Sequence, residues 1–257
     1  MNQASELVTT LQWMFSGSAP LSTPMIVAII AISFGMRWVT NVLADYIPKS
    51  LSFEWQSEIA EGRESAESPA APSLWSSIKE SPIHPHLSVW LTAENNRFNW
   101  AHFLADIISL TGPLACFAIN DAIDLMSVSL ATLMWVSACA IIIDSQHMLL
   151  PDALTIPSTW AGLLVNALGG FISIEDAVIG AVSAYLFLAI FATSFKWLTK
   201  KDGIGLGDAK WMAVAGAWFG AGDAMITLLI STVIGATIGL VFRKQEFPFG
   251  PMLCSAT

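Results

Sequence analysis

Two aspartates sit where apolar runs end or begin. Asp144 closes the run Val136-Ser-Ala-Cys-Ala-Ile-Ile-Ile143, and Asp208 lies in Gly203-Ile-Gly-Leu-Gly-Asp208-Ala-Lys210, just ahead of another. A carboxylate at the edge of hydrocarbon is costly to keep, so such residues commonly mark proton, ion or catalytic chemistry. Two of them at one membrane edge could act as an acid–base pair. Hydrolysis of a peptide bond by two aspartates needs one to activate water. The other must polarise the carbonyl and then protonate the departing amine. Like charges a few ångströms apart do not both ionise easily, so the pair shares a proton and titrates as a unit. Asp144, at the mouth of an apolar helix, is the one expected to hold that proton. Asp208, at a helix N-terminus and next to Lys210, is expected to be ionised. A proton-coupled transporter could use the same two carboxylates, and the residues alone leave both readings open.

The elements that must position them are membrane helices. The 257 residues are 54% hydrophobic and 12% charged, with a mean hydropathy of +0.62, against about 25% charged residues in soluble domains. Seven apolar stretches run over 23–45, 99–119, 125–143, 154–172, 175–197, 209–222 and 223–242. Spanning a bilayer takes about 20 residues, so the expected fold is all-α, a polytopic transmembrane bundle of about seven spans. It divides into 1–46 (N-terminal segment and first span), 47–98 (hydrophilic loop) and 99–257 (the remaining spans).

Basic residues set the expected orientation. Lys49, Arg63, Lys79 and Arg97 lie between the first two stretches, Lys196, Lys200, Lys201 and Lys210 flank the fifth-to-sixth connection, and Arg243 and Lys244 follow the seventh. The alternate segments 1–22, 120–124, 166–176 and 219–224 have neither Lys nor Arg. The positive-inside bias then puts the N-terminus outside and both aspartates on the cytoplasmic face. Arg37, inside the first stretch, is expected to snorkel or to pair within the bundle, with Asp45 as the candidate partner. The net charge of −9 argues against nucleic acid as a partner. Cys116, Cys139 and Cys254 are scattered, and no metal site follows from them.

Local chemistry refines the two sites. Pro151 disfavours helix at Leu150, so Ile143-Asp144-Ser-Gln-His147-Met-Leu-Leu-Pro151-Asp152 reads as a tight turn between helices, with Asp152 placed to cap the second. His147 could hydrogen-bond near Asp144 or simply shape the turn. Gly203, Gly205 and Gly207 allow close backbone approach at the second site.

At these residues the chain resembles the type IV prepilin peptidases, a family of intramembrane GxGD-type aspartyl proteases. Their first block, Ile-Asp-x-Asp-His-x-x-Leu-Pro-Asp, stands here as Ile143-Asp144-Ser-Gln146-His147-Met-Leu-Leu150-Pro151-Asp152. The second, Gly-x-Gly-Asp-x-Lys, stands as Gly205-Leu-Gly207-Asp208-Ala-Lys210, with 64 positions between the aspartates (208 − 144). A third block, Pro-Phe-Gly-Pro, is Pro248-Phe-Gly-Pro251. The resemblance implies a bacterial inner-membrane endopeptidase acting at the cytoplasmic face. Its substrates would be pilin or pseudopilin precursors of type IV pilus and type II secretion systems, cut after a Gly that ends a short basic leader. It carries the catalytic roles to Asp144 and Asp208, and the motif's structural roles to Gly205 and Gly207. No cofactor is implied for proteolysis. S-adenosylmethionine is implied only if the new N-terminus is also methylated.

The departures are specific. The loop 47–98 has no cysteine, where many members carry two CxxC pairs, and His84-Pro-His86 is its only metal-like fragment. Gln146 stands at the usual second acid of the first block. Arg97-Phe-Asn-Trp-Ala-His102 stands where members often have Arg-Tyr-Pro-x-x-Glu. The sequence runs six residues past Pro251 (257 − 251), where members usually enter one more helix. These departures bear on methylation more than on hydrolysis.

Overall fold

A computed structural model describes residues 23–61, 72–74, 100–120, 124–200, 205–242 and 250–256. The histidines of the hydrophilic loop and most of that loop lie outside them. Among the described residues the regular structure is all helical: α1 Thr23–Glu61, α2 Trp100–Asn120, α3 Leu125–His147, α4 Asp152–Ala167, α5 Ile174–Thr199, α6 Leu206–Phe242 and α7 Gly250–Ala256. Four stretches are long and apolar enough to cross a membrane: Ile26–Phe53, Leu125–His147, Ile174–Thr199 and Leu206–Thr237. In hydrocarbon no water is available to the backbone, so helices, which satisfy their own amides, are the expected outcome of such runs.

α3 is the central helix. Of its apolar stretch 61% is buried, against 28% for α5, and every residue from Ser137 to Asp144 is buried, so it is covered on all sides. Asp124 starts it, accepting a hydrogen bond from the Ser127 amide at 2.8 Å. α5 is one-sided. It buries Ala177, Gly180, Ala181, Ala184, Leu188 and Ala192 and leaves side chains such as Ile179, Phe187 and Ile190 exposed, as a lipid-facing helix would. The small stripe lets α5 and α6 meet backbone to backbone. A β-carbon on Gly180 would collide with the Gly216 carbonyl, and one on Gly216 with the Gly180 carbonyl. Such contacts are how membrane helices gain packing where burial from water contributes little.

Three expectations are revised. The first helix does not stop at 45: it continues through Pro48 to Glu61, although a helical proline forfeits one backbone hydrogen bond. The boundary between the sixth and seventh stretches falls not at 222–223 but at Gly220, where two helical segments of α6 meet across a kink (φ 87°, ψ 174°). Asn166, buried in the last turn of α4, repairs that break. Its Nδ2 donates to the carbonyls of Ala217 (2.8 Å) and Trp218 (3.1 Å). Its Oδ1 accepts from the amides of Phe171 (2.8 Å) and Ile172 (3.1 Å). Finally, Arg37 does not pair with Asp45. Arg37 binds Asp106 of α2 through two bonds of 2.6 Å, both side chains buried, while Asp45 takes Lys49 at 2.8 Å.

Candidate active site

The connections after α3 and α5 are short, and they bring the end of α3 and the start of α6 to one end of the bundle. α3 stops because the chain turns left-handed at Met148 (φ 51°), whose amide closes back onto the Asp144 carbonyl at 2.8 Å. Pro151, extended at φ −74° and ψ 145°, then starts α4. The expected turn between helices is therefore present. Asp152 does not cap it: the cap position is Pro151, which offers no side-chain bond, and Asp152 is the first helical residue. Its carboxylate is bonded by the Lys210 ammonium, so Lys210 serves Asp152 rather than Asp208.

Asp144 and Asp208 lie near one another. Both are buried, at 5% and 9% exposure, and they lie within electrostatic reach of one another. Each carboxyl lies beside a glycine, Asp144 against Gly250 and Asp208 near Gly205. The Asp208 amide also bonds the Gly205 carbonyl at 3.2 Å. One oxygen of Asp144, Oδ2, has no hydrogen-bond partner among the described residues. A buried carboxyl oxygen without a partner is an acceptor waiting for a proton, a water or a substrate group.

Packing brings the motifs together. Gly207 sits against Leu150 of the first motif, where a β-carbon would stand 3.1 Å from the Leu150 β-carbon. Gly250, from the third block, opens the short α7, whose Gly250, Pro251, Leu253 and Cys254 are all buried. α7 is pinned by Ser231 Oγ donating to the Met252 carbonyl at 3.2 Å. A β-carbon at 250 would stand 2.5 Å from Asp144 Oδ2 and 3.0 Å from Oδ1. Burial, and then the neighbouring Asp144 and Asp208 carboxylates, push the Cys254 thiol well up, which keeps it neutral. The seating of Gly250 and Cys254 on the carboxyl pair was not anticipated. The signal available was the third block itself, which spacing alone did not tie to the first. His147 is exposed at the end of α3, and no hydrogen bond joins it to Asp144 among the described residues. No group of three or more His, Cys, Asp or Glu among the described residues is placed to hold a metal ion.

Residues 131–240 match the type IV leader peptidase family. The prepilin leader peptidase/N-methyltransferase of Aeromonas hydrophila is 47% identical over 131 residues, covering 48% of this chain and 45% of that protein. The protein of the same name in Legionella pneumophila is 37% identical over 62% of this chain and 56% of its own length. In Stutzerimonas stutzeri the likeness runs nearly end to end, 31% identical over 94% of this chain and 91% of the relative. The chain belongs to the type IV leader peptidase family. Several of its matches, that of Aeromonas hydrophila among them, span under half of the relative's length. No solved structure matches the chain.

Two residues singled out in the sequence prove to be neighbours. His102 and Gln146 are in direct contact, with Nε2 to Nε2 at 2.8 Å.

Proposed function

We propose that this protein is a membrane aspartyl endopeptidase that removes the short basic leader from prepilin-like precursors, with Asp144 and Asp208 as its acid–base pair. The observation that carries this reading is the convergence of the two buried carboxyls, each set beside a motif glycine.

The chemistry follows from one proton shared across two carboxyls. The ionised aspartate takes a proton from water as that oxygen attacks the scissile carbonyl carbon. The protonated one hydrogen-bonds the carbonyl oxygen as it gains charge. Collapse of the tetrahedral intermediate breaks the C–N bond, and the amine leaves with a proton from the pair. The pair is then ready to share a proton again. Burial strengthens each of these interactions by excluding bulk water. The basic residues Lys196, Lys200 and Lys210 at this end of the bundle support a cytoplasmic site. The site would therefore meet leaders before export.

Proteolysis is the whole of the proposal. S-adenosylmethionine enters only if the new N-terminus is also methylated, and no step here is routed through it.

The test is co-expression with a prepilin from the same genome, read by gel shift and by N-terminal sequencing. Wild type is expected to cut after the leader Gly. Asp144→Asn and Asp208→Asn should each reduce cleavage by at least about 10²–10⁴-fold, with membrane insertion unchanged. Processed substrate at wild-type level in cells carrying either variant alone would sink the assignment.

A further inference from the structure

Four polar side chains that the proposed reaction does not use run along the contact of α1, α2 and α3, buried at the Arg37–Asp106 end and exposed at Gln146. Arg37 of α1 grips Asp106 of α2 through two bonds of 2.6 Å, with both side chains 7% exposed. One turn earlier on α2, His102 feels both charges, and its Nε2 lies 2.8 Å from Gln146 Nε2. Gln146 is two residues beyond Asp144, in the last turn of α3.

We infer that His102 and Gln146 are a positioning pair for Asp144, clamping the last turn of α3 from the side opposite the catalytic carboxyls. Residues two apart on a helix point about 200° away from one another. With Asp144 facing Gly250 and Asp208, Gln146 faces α2. The last turn of a helix is its weakest part, because its carbonyls lack intrahelical partners. Here the chain also turns left-handed immediately afterwards, at Met148. Asp144 itself is packed and its carbonyl is capped by Met148, but the residues just beyond it, Ser145 to His147, are half-buried or exposed and need support from outside the helix. Gln146 supplies it from a helix whose own register is fixed by the buried Arg37–Asp106 pair, one turn away. The amide donates to the ring nitrogen, or accepts from it after a flip of the amide, so the clamp holds in either ring tautomer. Neither residue touches the reacting atoms in this scheme. Their work is to hold the Asp144 carboxyl at its distance from Asp208.

The inference rests on Asp144 being catalytic, so the test includes Asp144→Asn. Full-length protein in detergent or membranes is assayed on a prepilin, with kcat and KM measured separately, for His102→Ala, Gln146→Ala, their double variant and His102→Gln. A misplacement of about 1 Å can cost about 10²-fold in rate, so each alanine variant should lose about tenfold or more in kcat with KM little changed. The double variant should lose no more than the worse single, because the two act as one unit. His102→Gln, which keeps a hydrogen-bonding group facing Gln146, should recover most of the loss. Losses that multiply in the double variant, or a His102→Gln as poor as His102→Ala, would overturn the pairing. So would a loss confined to KM, or unchanged kcat in both single variants. Cleavage that survives in Asp144→Asn would instead bring down the catalytic assignment on which the inference stands.

Discussion

Gly250 lies against Asp144 with no room for a side chain: a β-carbon there would stand 2.5 Å from one carboxyl oxygen and 3.0 Å from the other. Nearest neighbours to the open position at Gly205 are farther, with Asp208 Oδ2 3.8 Å from a built β-carbon. The two glycines beside the two carboxyls thus differ in tolerance. Gly250→Ala must displace the Asp144 carboxyl or tilt α7. The expected loss is about 10²-fold in kcat, since a displacement of about 1 Å suffices for that. Gly205→Ala keeps its backbone bond to Asp208 and meets only ordinary contact, so its loss should stay within about threefold. Parallel cleavage assays on the two purified variants decide it. Equal losses would show that the glycines matter for something other than space.

The buried ion pair makes a second prediction. Arg37 and Asp106 satisfy one another inside apolar helices. Removing one partner leaves an uncompensated buried charge, at about 3–5 kcal/mol, whereas replacing both with apolar residues of similar size is often close to neutral. Arg37→Met or Asp106→Leu alone should therefore lower the yield of folded protein and its melting temperature in detergent. Arg37→Met with Asp106→Leu should recover most of that loss. A double variant as unstable as the singles would mean that the pair is more than mutual compensation.

How far the sequence could be read is clearest at these charges. The spacing of the motif blocks was enough to bring Asp144 and Asp208 together, because each lies within two or three residues of a helix end at one side of a helical bundle. Partners across helices were less legible. Asp45 is eight residues from Arg37 on the same helix, about 12 Å along the axis, beyond easy reach. Asp106 became the partner only through the packing of α1 on α2. Lys210 lies two residues from Asp208, which puts it on another side of the helix. It turns to Asp152 instead, 58 positions away in sequence. Asn166 could not be foreseen as the repair of a break at Gly220, since nothing in the local pattern links positions 166 and 217.

That repair supplies a third prediction. Gly220 has φ 87° and ψ 174°, a region open essentially to glycine alone, and forcing another residue into it costs on the order of 1–3 kcal/mol. Asn166 supplies donors to two carbonyls that the break releases. Leaving buried polar groups unsatisfied costs about 1–3 kcal/mol each. Gly220→Ala and Asn166→Leu should each lower thermal stability in detergent micelles. Asn166→Leu should be at least as harmful, because it strips partners from four backbone groups. If both variants melt like the wild type, the break is not locked in the way described.

The last prediction concerns the Lys210–Asp152 pair, which bridges the first turns of α6 and α4. Its side chains are 36% and 56% exposed, so water screens the attraction, and pairs of this kind contribute about 0–1 kcal/mol. Stability should therefore hardly change in Lys210→Ala or Asp152→Ala. Activity is the more sensitive readout, because the bridge joins the helix starts beside the two carboxyls. If geometry matters there, either single variant should lower kcat, and exchanging the charges (Lys210→Asp with Asp152→Lys) should restore part of it. If instead the charge at each position matters, because a basic leader docks on Asp152, the exchange should be worse than either alanine variant, chiefly through KM. Steady-state cleavage of one prepilin by the three variants separates the two, and variants indistinguishable from wild type would assign the pair to neither.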